Sequence, residues 1–250
     1  MDITWKVEPE DVDTVRTFYD SYRDDPFVTR RIARNVVGIR EKVSREWFWE
    51  AMVGCLLSTQ QRSGPTSPIS RFINTRPFAL RYEIALQERD LESYTRNALS
   101  DFGGIRRYNQ IAKAVVANLA TLEDGLWSEL MATVSALGGE STPAHERRAA
   151  EFIDDHFHGF GPKQSRNLLQ WLGLTKYEIP LDSRITKWLN EFGFPVGLSA
   201  AALSDRNYYN FVSDGVQALC AQSDLYPCVL DAVIFTSFDA ERWTEDNMVY

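Results

Sequence analysis

Apolar residues recur at three- and four-residue spacing through most of this chain, which is the period of a helix face and not the alternation of a half-buried strand. Trp47, Ala51, Cys55 and Thr59, with Phe48, Met52 and Leu56, make one such face. Ile105, Tyr108, Ile111, Val115 and Leu119 make a second, and Leu122, Leu126, Leu130, Val134 and Leu137 a third. Further runs lie near 145–157, 164–173, 183–192, 206–222 and 227–238, and only Thr4–Val7 and Tyr177–Pro180 read as extended. The expected fold is therefore all-α. Gly103-Gly104, Gly138-Gly139, Gly159, Gly161, Gly173 and Phe194-Pro195 punctuate the runs. None of these connections is long or biased enough to be an interdomain linker, and no internal repeat is present. Two interleaved helical lobes fit this pattern better than two separate domains.

Composition narrows the function. A chain of 250 residues with 44% hydrophobic side chains can bury one ample core or two small ones, which excludes a disordered or collagen-like chain. No stretch approaches the roughly 18 to 20 apolar residues of a membrane span. The segment from Met1 to Asp13 is acidic where a secretory signal is basic and then apolar, so the expected compartment is the cytoplasm. Cys55, Cys220 and Cys228 are too few and too far apart for a zinc or iron–sulfur cluster, and the expectation is buried free thiols. His145, His156 and His158 show no metal-ligand spacing either. The net charge of −8 argues against nucleic acid, because phosphate binding rests on Lys and Arg. That charge is segregated, however: residues 59–110 carry +3 and 159–193 carry +2, against −5 in 111–158 and −6 in 194–250. A basic face is compatible with the acidic average.

The segment from His158 to Leu172 is the most informative. A helix ending near Phe157 meets a Gly159-Phe160-Gly161 turn, and a second helix starts at Pro162, a residue suited to a first helical turn. Such a turn lets backbone approach a partner and presents amides at a helix N-terminus, a ready site for a phosphate. A plain helix–helix corner explains the glycines equally well. Lys163 stands in that first turn, where a cation opposes the helix dipole. A surface lysine or a simple phosphate contact is one reading, and an amine nucleophile is another. Asp182 follows the extended Ile179-Pro180-Leu181 and precedes a helix, which locally makes it an N-cap.

Taken together, Gly-x-Gly-x-Lys, a helix, a short extended piece ending in Pro-x-Asp and a basic helix resemble the helix-hairpin-helix/Gly-Pro-Asp superfamily of DNA glycosylases. The spacing of 19 residues from Lys163 to Asp182 fits. Leu56-Leu57-Ser58-Thr59-Gln60-Gln61 is similar to the early helix that ends in a polar wedge, and Gly104–Lys113 to the mid-barrel helix. The likeness covers about three quarters of the chain, from the helix at 46 to the helix near 238. The short chain, the absence of a cysteine cluster and the run from Pro162 to Leu169 look most like the compact 8-oxoguanine DNA glycosylase/lyases of archaea and some bacteria. Phe157-His158 stands where that family usually has Leu-Pro, and the chain continues to Tyr250 beyond the last helix.

The resemblance implies a single glycosylase unit over 1–250. A helical barrel lobe would span 46–175, with its hairpin at about 157–165, and a second lobe would combine 1–45 with 176–250 across an interlobe cleft. It implies Lys163 as nucleophile and Asp182 as its carboxylate partner, with no metal or organic cofactor. Gln60, with Gln61 as the alternate, matches the wedge that fills the gap left by a flipped base. Gly159, Gly161, Arg166, Arg184 and Lys187 are candidates for phosphate contact. Phe160, Phe238 and Trp243 are candidates for stacking on the base. The expected partner is double-stranded DNA with a damaged base, bound by a monomer at the nucleoid, with no membrane role. The expected activity is 8-oxoguanine removal followed by β-elimination. Other readings are a glycosylase/lyase for another oxidised base, a non-catalytic helix-hairpin-helix DNA-binding module and an all-α protein-interaction domain.

Overall fold

The computed structural model describes residues 4–61, 63–239 and 243–244, and these form helices and connecting segments with no strand among them. The helices are α1 (Pro9–Asp20), α2 (Pro26–Arg31), α3 (Arg45–Leu57), α4 (Pro68–Asn74), α5 (Tyr82–Gln87), α6 (Leu91–Phe102), α7 (Tyr108–Thr121), α8 (Trp127–Ala136), α9 (Pro143–His156), α10 (Pro162–Trp171), α11 (Ser183–Phe192), α12 (Arg206–Gln222) and α13 (Pro227–Phe238). Their starts follow local chemistry. Pro9, Pro26, Pro68, Pro143, Pro162 and Pro227 each stand in a first turn, where the missing N–H is no loss. Asp25, Ser44, Asp90, Thr142, Asp182 and Asp205 accept backbone N–H groups of the turns they cap.

Three departures from the periodicity have physical causes. The run from Leu122 to Leu137 is not one helix: Gly125, at φ +108°, breaks it into a wide π turn at Leu122–Leu126 and then α8. Ile105 is buried but outside α7, because Arg107 takes a left-handed φ of +62° and the helix begins after it. Tyr177–Pro180 pairs with no sheet. The N–H groups of Lys176, Tyr177 and Glu178 instead donate to the buried carboxylate of Glu146 on α9. Helices α1, α2, α4, α5 and α6 fill regions where the sequence showed no strong helical run.

The apolar interior falls into three clusters. The first draws on residues between Val43 and Leu174, with Phe48, Trp49, Met52, Leu99, Ile153 and Leu168 deeply buried. The second joins Val15 of α1 to Ile185 and Leu189 of α11, Tyr209 and Val216 of α12 and Ile234 of α13. The third packs Phe27 and Val28 of α2 against Val229 and Val233 of α13 and Trp243. Helices α12 and α13 meet at 95°, and no single helix among the described residues is long and apolar enough to cross a membrane. Cys55, Cys220 and Cys228 are free and buried.

A polar joint connects the first two clusters. Glu178, fully buried, receives Arg166 of α10 and Arg147 of α9 on its two oxygens, and Gln217 of α12 also donates to it. Arg166 also donates to Asn210 of α12 and lies over the Tyr209 ring at 4.5 Å. Two buried charges taken from water are stable together only with such full pairing, and removal of one partner strands the other at a cost of about 3–5 kcal/mol.

Candidate active site

A cleft of about 1440 Å³ opens where the N-termini of α10 and α11, the end of α3, the start of α7 and one face of α13 converge. Its lining includes Gln60, Gln61, Gly159, Phe160, Gly161, Lys163, Asp182, Arg184, Lys187 and Phe238, all singled out from the sequence.

Lys163 is placed by the turn that precedes it. Gly159 takes φ +82°, and a β-carbon there would meet Leu56 at 2.8 Å, so the hairpin presses on α3 where only glycine fits. Gly161 caps α10 with open space above its α-carbon. The amine of Lys163 donates to Gln164 Oε1 at 2.9 Å, and Gln164 Nε2 in turn donates to the Cys55 carbonyl and the Thr59 hydroxyl. Lys163 therefore faces the cleft on a neutral amide, and among the described residues it has no carboxylate within ion-pair distance. Asn167, one turn on, donates to Cys55 Sγ at 3.4 Å. Burial pushes the Cys55 thiol up to about 12, against the opposing influence of the Lys163 charge and the Asn167 hydrogen bond. It is a buried structural thiol.

Asp182 reaches the same cleft along a clamped segment. Glu146 holds the amides of 176–178, and Tyr209 donates to the Ile179 carbonyl and accepts from the Leu181 N–H, both at 2.7 Å. Burial raises the Glu146 carboxyl above the ordinary carboxylate range, although four donors oppose it. Asp182 Oδ1 caps α11 by accepting from the N–H groups of Arg184 and Ile185, at 2.8 and 3.0 Å. Its Oδ2 meets Arg184 Nε at 3.3 Å. The cap role favoured by local rules and a place in the cleft thus coexist in one side chain.

The wedge candidates separate. Gln60, at φ +55° and exposed, closes the end of α3, and its side chain makes no hydrogen bond among the described residues. Gln61 is used internally: its amide donates to the Leu57 carbonyl at 2.9 Å and accepts from the Arg106 N–H at 2.6 Å. Gln60 is the side chain left for a partner.

Two expectations are corrected. Arg166, expected at a phosphate, is 0% exposed and absorbed by Glu178 and Asn210, so it cannot meet DNA. Trp243, expected at the base, lies outside the cleft lining in the third cluster, between Phe27 and Phe235, and its Nε1 donates to Asp239 at 3.0 Å. Arg184 lines the cleft but is shared between Asp182 and Asp239, and its guanidinium lies 3.6 Å above the Phe235 ring. Lys187 is exposed, 3.8 Å from Glu191 and 5.2 Å above Phe238. Phe160 packs edge-on against Phe157. Of the terminal stretch from Thr244 to Tyr250, residues 245–250 lie outside the described residues.

Other lining residues were not singled out from the sequence. Arg106 and Arg107 bring two exposed guanidinium groups beside Gln60. Arg31 of α2, Gln170 of α10 and Asp231 of α13 form a buried trio: Arg31 donates to Asp231 Oδ2 at 2.7 Å and Gln170 at 2.6 Å. Burial pushes the Asp231 carboxyl upward and the Arg31 charge opposes it. Among the described residues no three His, Cys, Asp or Glu side chains converge as a metal site.

The fold is similar to that of solved 8-oxoguanine DNA glycosylases. The 8-oxoguanine DNA glycosylase of Thermotoga maritima superimposes with a TM-score of 0.66 at 16% identity, over 93% of this chain and 98% of that one. The Methanocaldococcus jannaschii 8-oxoguanine glycosylase/lyase, in complex with a 15-mer DNA containing 8-oxoguanine, gives 0.69 at 16% identity over 92% and 100%. A further structure of the M. jannaschii enzyme gives 0.61 at 15% over 93% and 95%. No family model matches the chain, and no curated protein sequence matches it at a significant level. The chain has the 8-oxoguanine glycosylase fold with little of its sequence.

Proposed function

We propose that the protein is a bifunctional DNA glycosylase of base-excision repair, which removes 8-oxoguanine from duplex DNA and then nicks the strand as an AP lyase. One observation carries this reading: Lys163 and Asp182, each at the N-terminus of a different helix, line a single cleft beside an exposed Gln60 and two exposed arginines. A mere DNA-binding module has no use for a carboxylate in that position, since it repels phosphate. The structural likeness to enzymes acting on 8-oxoguanine supports the substrate.

The chemistry follows from the groups. The base flips into the cleft, and Gln60 fills the space it leaves. Positive charge develops on the sugar as the C1′–N9 bond breaks, and the Asp182 carboxylate stabilises it. Lys163 Nζ forms a bond to C1′, while the bonding pair leaves with the base, which takes up a proton given up by Nζ. Loss of the amine proton and opening of the sugar ring give a Schiff base between Nζ and C1′. Removal of a C2′ proton then expels the 3′ phosphate by β-elimination, and water frees Lys163. Gly159 and Gly161 amides, Lys187, Arg106 and Arg107 are proposed to hold the backbone. Every group comes from one chain, so the active unit is proposed to be a monomer, working in the cytoplasm.

The test is incision of end-labelled duplexes carrying 8-oxoguanine, an oxidised pyrimidine, an abasic site or no lesion. Incision at 8-oxoguanine above the other bases is expected. Incision at the oxidised pyrimidine alone would replace the substrate, and binding without incision at any site would reduce the protein to a DNA-binding module.

A further inference from the structure

Trp171 lines the cleft and also a second cavity, of about 320 Å³, in which four arginines gather. Arg30 comes from the end of α2, Arg34 from the π turn Ile32–Val37 that continues it, Arg40 from the segment that follows, and Arg76 from the segment after α4. Elsewhere in this protein a buried or half-buried arginine meets a carboxylate: Arg31 has Asp231, and Arg147 and Arg166 have Glu178. Here neutral oxygens take that place. Arg34 Nη2 donates to the Gln170 and Trp171 carbonyls at the end of α10, Arg40 Nη1 to the Arg34 carbonyl at 3.2 Å, and Arg76 Nη1 to the Ile73 carbonyl at 2.6 Å. Arg34 Nε is buried and has no hydrogen-bond partner among the described residues. Burial, and after it the charges of Arg31, Arg30 and Arg40, push the Arg34 guanidinium down to about 9, and no carboxylate opposes them. Cations packed in this way are stabilised by an anion that enters among them.

The rest of the lining narrows the anion. Guanidinium forks match the oxygens of a phosphate. Trp47, half-buried against the first apolar cluster, brings an indole ring to the same cavity, which a planar base can stack on. Glu50, one turn further along α3, adds a carboxylate that can accept from ribose hydroxyls. The volume lies at the small end of the range for ligand sites, about 300–1,000 Å³, which suits a single nucleotide. Position separates this cavity from the substrate duplex. It meets α3 at Trp47, Glu50 and Ala51, whereas Gln60, the side chain proposed to enter the duplex, closes the other end of that helix, roughly 14–20 Å along its axis.

We propose that this cavity binds a free mononucleotide, its phosphate held by Arg30, Arg34 and Arg40 and its base laid on Trp47. The site is distinct from the catalytic pair, and its occupancy does not depend on the glycosylase reading of the cleft.

The experiment is isothermal titration calorimetry of the intact protein with AMP, with adenosine, which lacks the phosphate, and with inorganic phosphate, which lacks the ring. One AMP per chain is expected, bound at least about tenfold more tightly than either fragment. Because Arg34 also caps α10, the variant tested is Arg30→Gln/Arg40→Gln, which keeps that cap; it should weaken AMP about tenfold or more at an unchanged melting temperature. Trp47→Leu, the second variant, should weaken AMP and leave inorganic phosphate within about twofold. Lys163→Gln should leave AMP within about twofold, since it alters only the cleft. Absence of AMP binding at millimolar concentration overturns the proposal, as does AMP binding that Lys163→Gln removes and the arginine variant retains. Equal affinity for AMP and inorganic phosphate overturns the assignment of a nucleotide. A fall in affinity for the 8-oxoguanine duplex as large as that for AMP in the arginine variant makes the cavity a DNA contact and overturns a free ligand. Failure of the protein to incise any duplex bears on the cleft alone, because none of these titrations requires catalysis.

Discussion

The two walls of the cleft are built on opposite plans. On the hairpin wall, Gln60, Arg106, Arg107 and Lys163 present polar ends to solvent, or rest them on neutral amides and carbonyls. On the wall of α11 and α13, nearly every charge already has a counter-charge: Arg31 with Asp231, Arg184 with Asp182 and Asp239, Lys187 with Glu191. The first wall carries exposed cations and an amine free of carboxylates. The second is a shaped, electrically balanced surface of carboxylates and phenyl rings, suited to holding and discriminating a base. This division also explains how a chain of net charge −8 can be proposed to bind DNA: within the groove, the cations that lack a carboxylate partner, Arg106, Arg107 and Lys163, lie on one side.

The largest expected effect comes from removing the amine of the first wall. Lys163→Gln should lower single-turnover incision by at least about a thousandfold, measured on the 8-oxoguanine duplex, with little change in melting temperature because the side chain is only half-buried. Next comes the joint that holds the walls in register. Glu178→Gln leaves Arg166 buried with half its pairing and should cost about 3 kcal/mol in urea unfolding; an unchanged midpoint would show that the joint does not set the stability.

The two neighbouring glutamines sharpen the contrast within the first wall. Gln60→Ala should slow base excision about tenfold and spare abasic-site cleavage, since a wedge matters only while a base must be flipped. An equal loss in both reactions would show a structural role instead. The smallest effect is electrostatic. Arg107→Gln should reduce the slope of log affinity against log salt by about 0.9, whereas Arg166→Met should leave it unchanged because that guanidinium is sealed from solvent.

Much of this architecture was legible where the determinants are local. Helices α11, α12 and α13 fall at the residues the sequence indicated, since Asp182, Asp205 and Pro227 mark their starts and an apolar stripe follows each. The Gly159–Lys163 hairpin and Asp182 were visible for the same reason. What stayed hidden depends on partners distant in sequence. Arg166 reads as a surface cation on a polar-looking helix, and only the fold brings Glu178 and Asn210 onto it. Arg31 and Asp231 are 200 residues apart. A signal existed even there: a single carboxylate inside the apolar run of α13 announces a buried partner or a ligand. Helices α2, α4 and α5 were missed because six or seven residues give too few turns to establish a period.

The central claim is that the amine of Lys163, in this cleft, attacks the sugar. Borohydride reduction of the protein on an 8-oxoguanine duplex, followed by digestion and mass spectrometry of the cross-linked peptide, tests it most directly. The account predicts one reduced adduct, at Lys163. An adduct at Lys187 or another amine would contradict it.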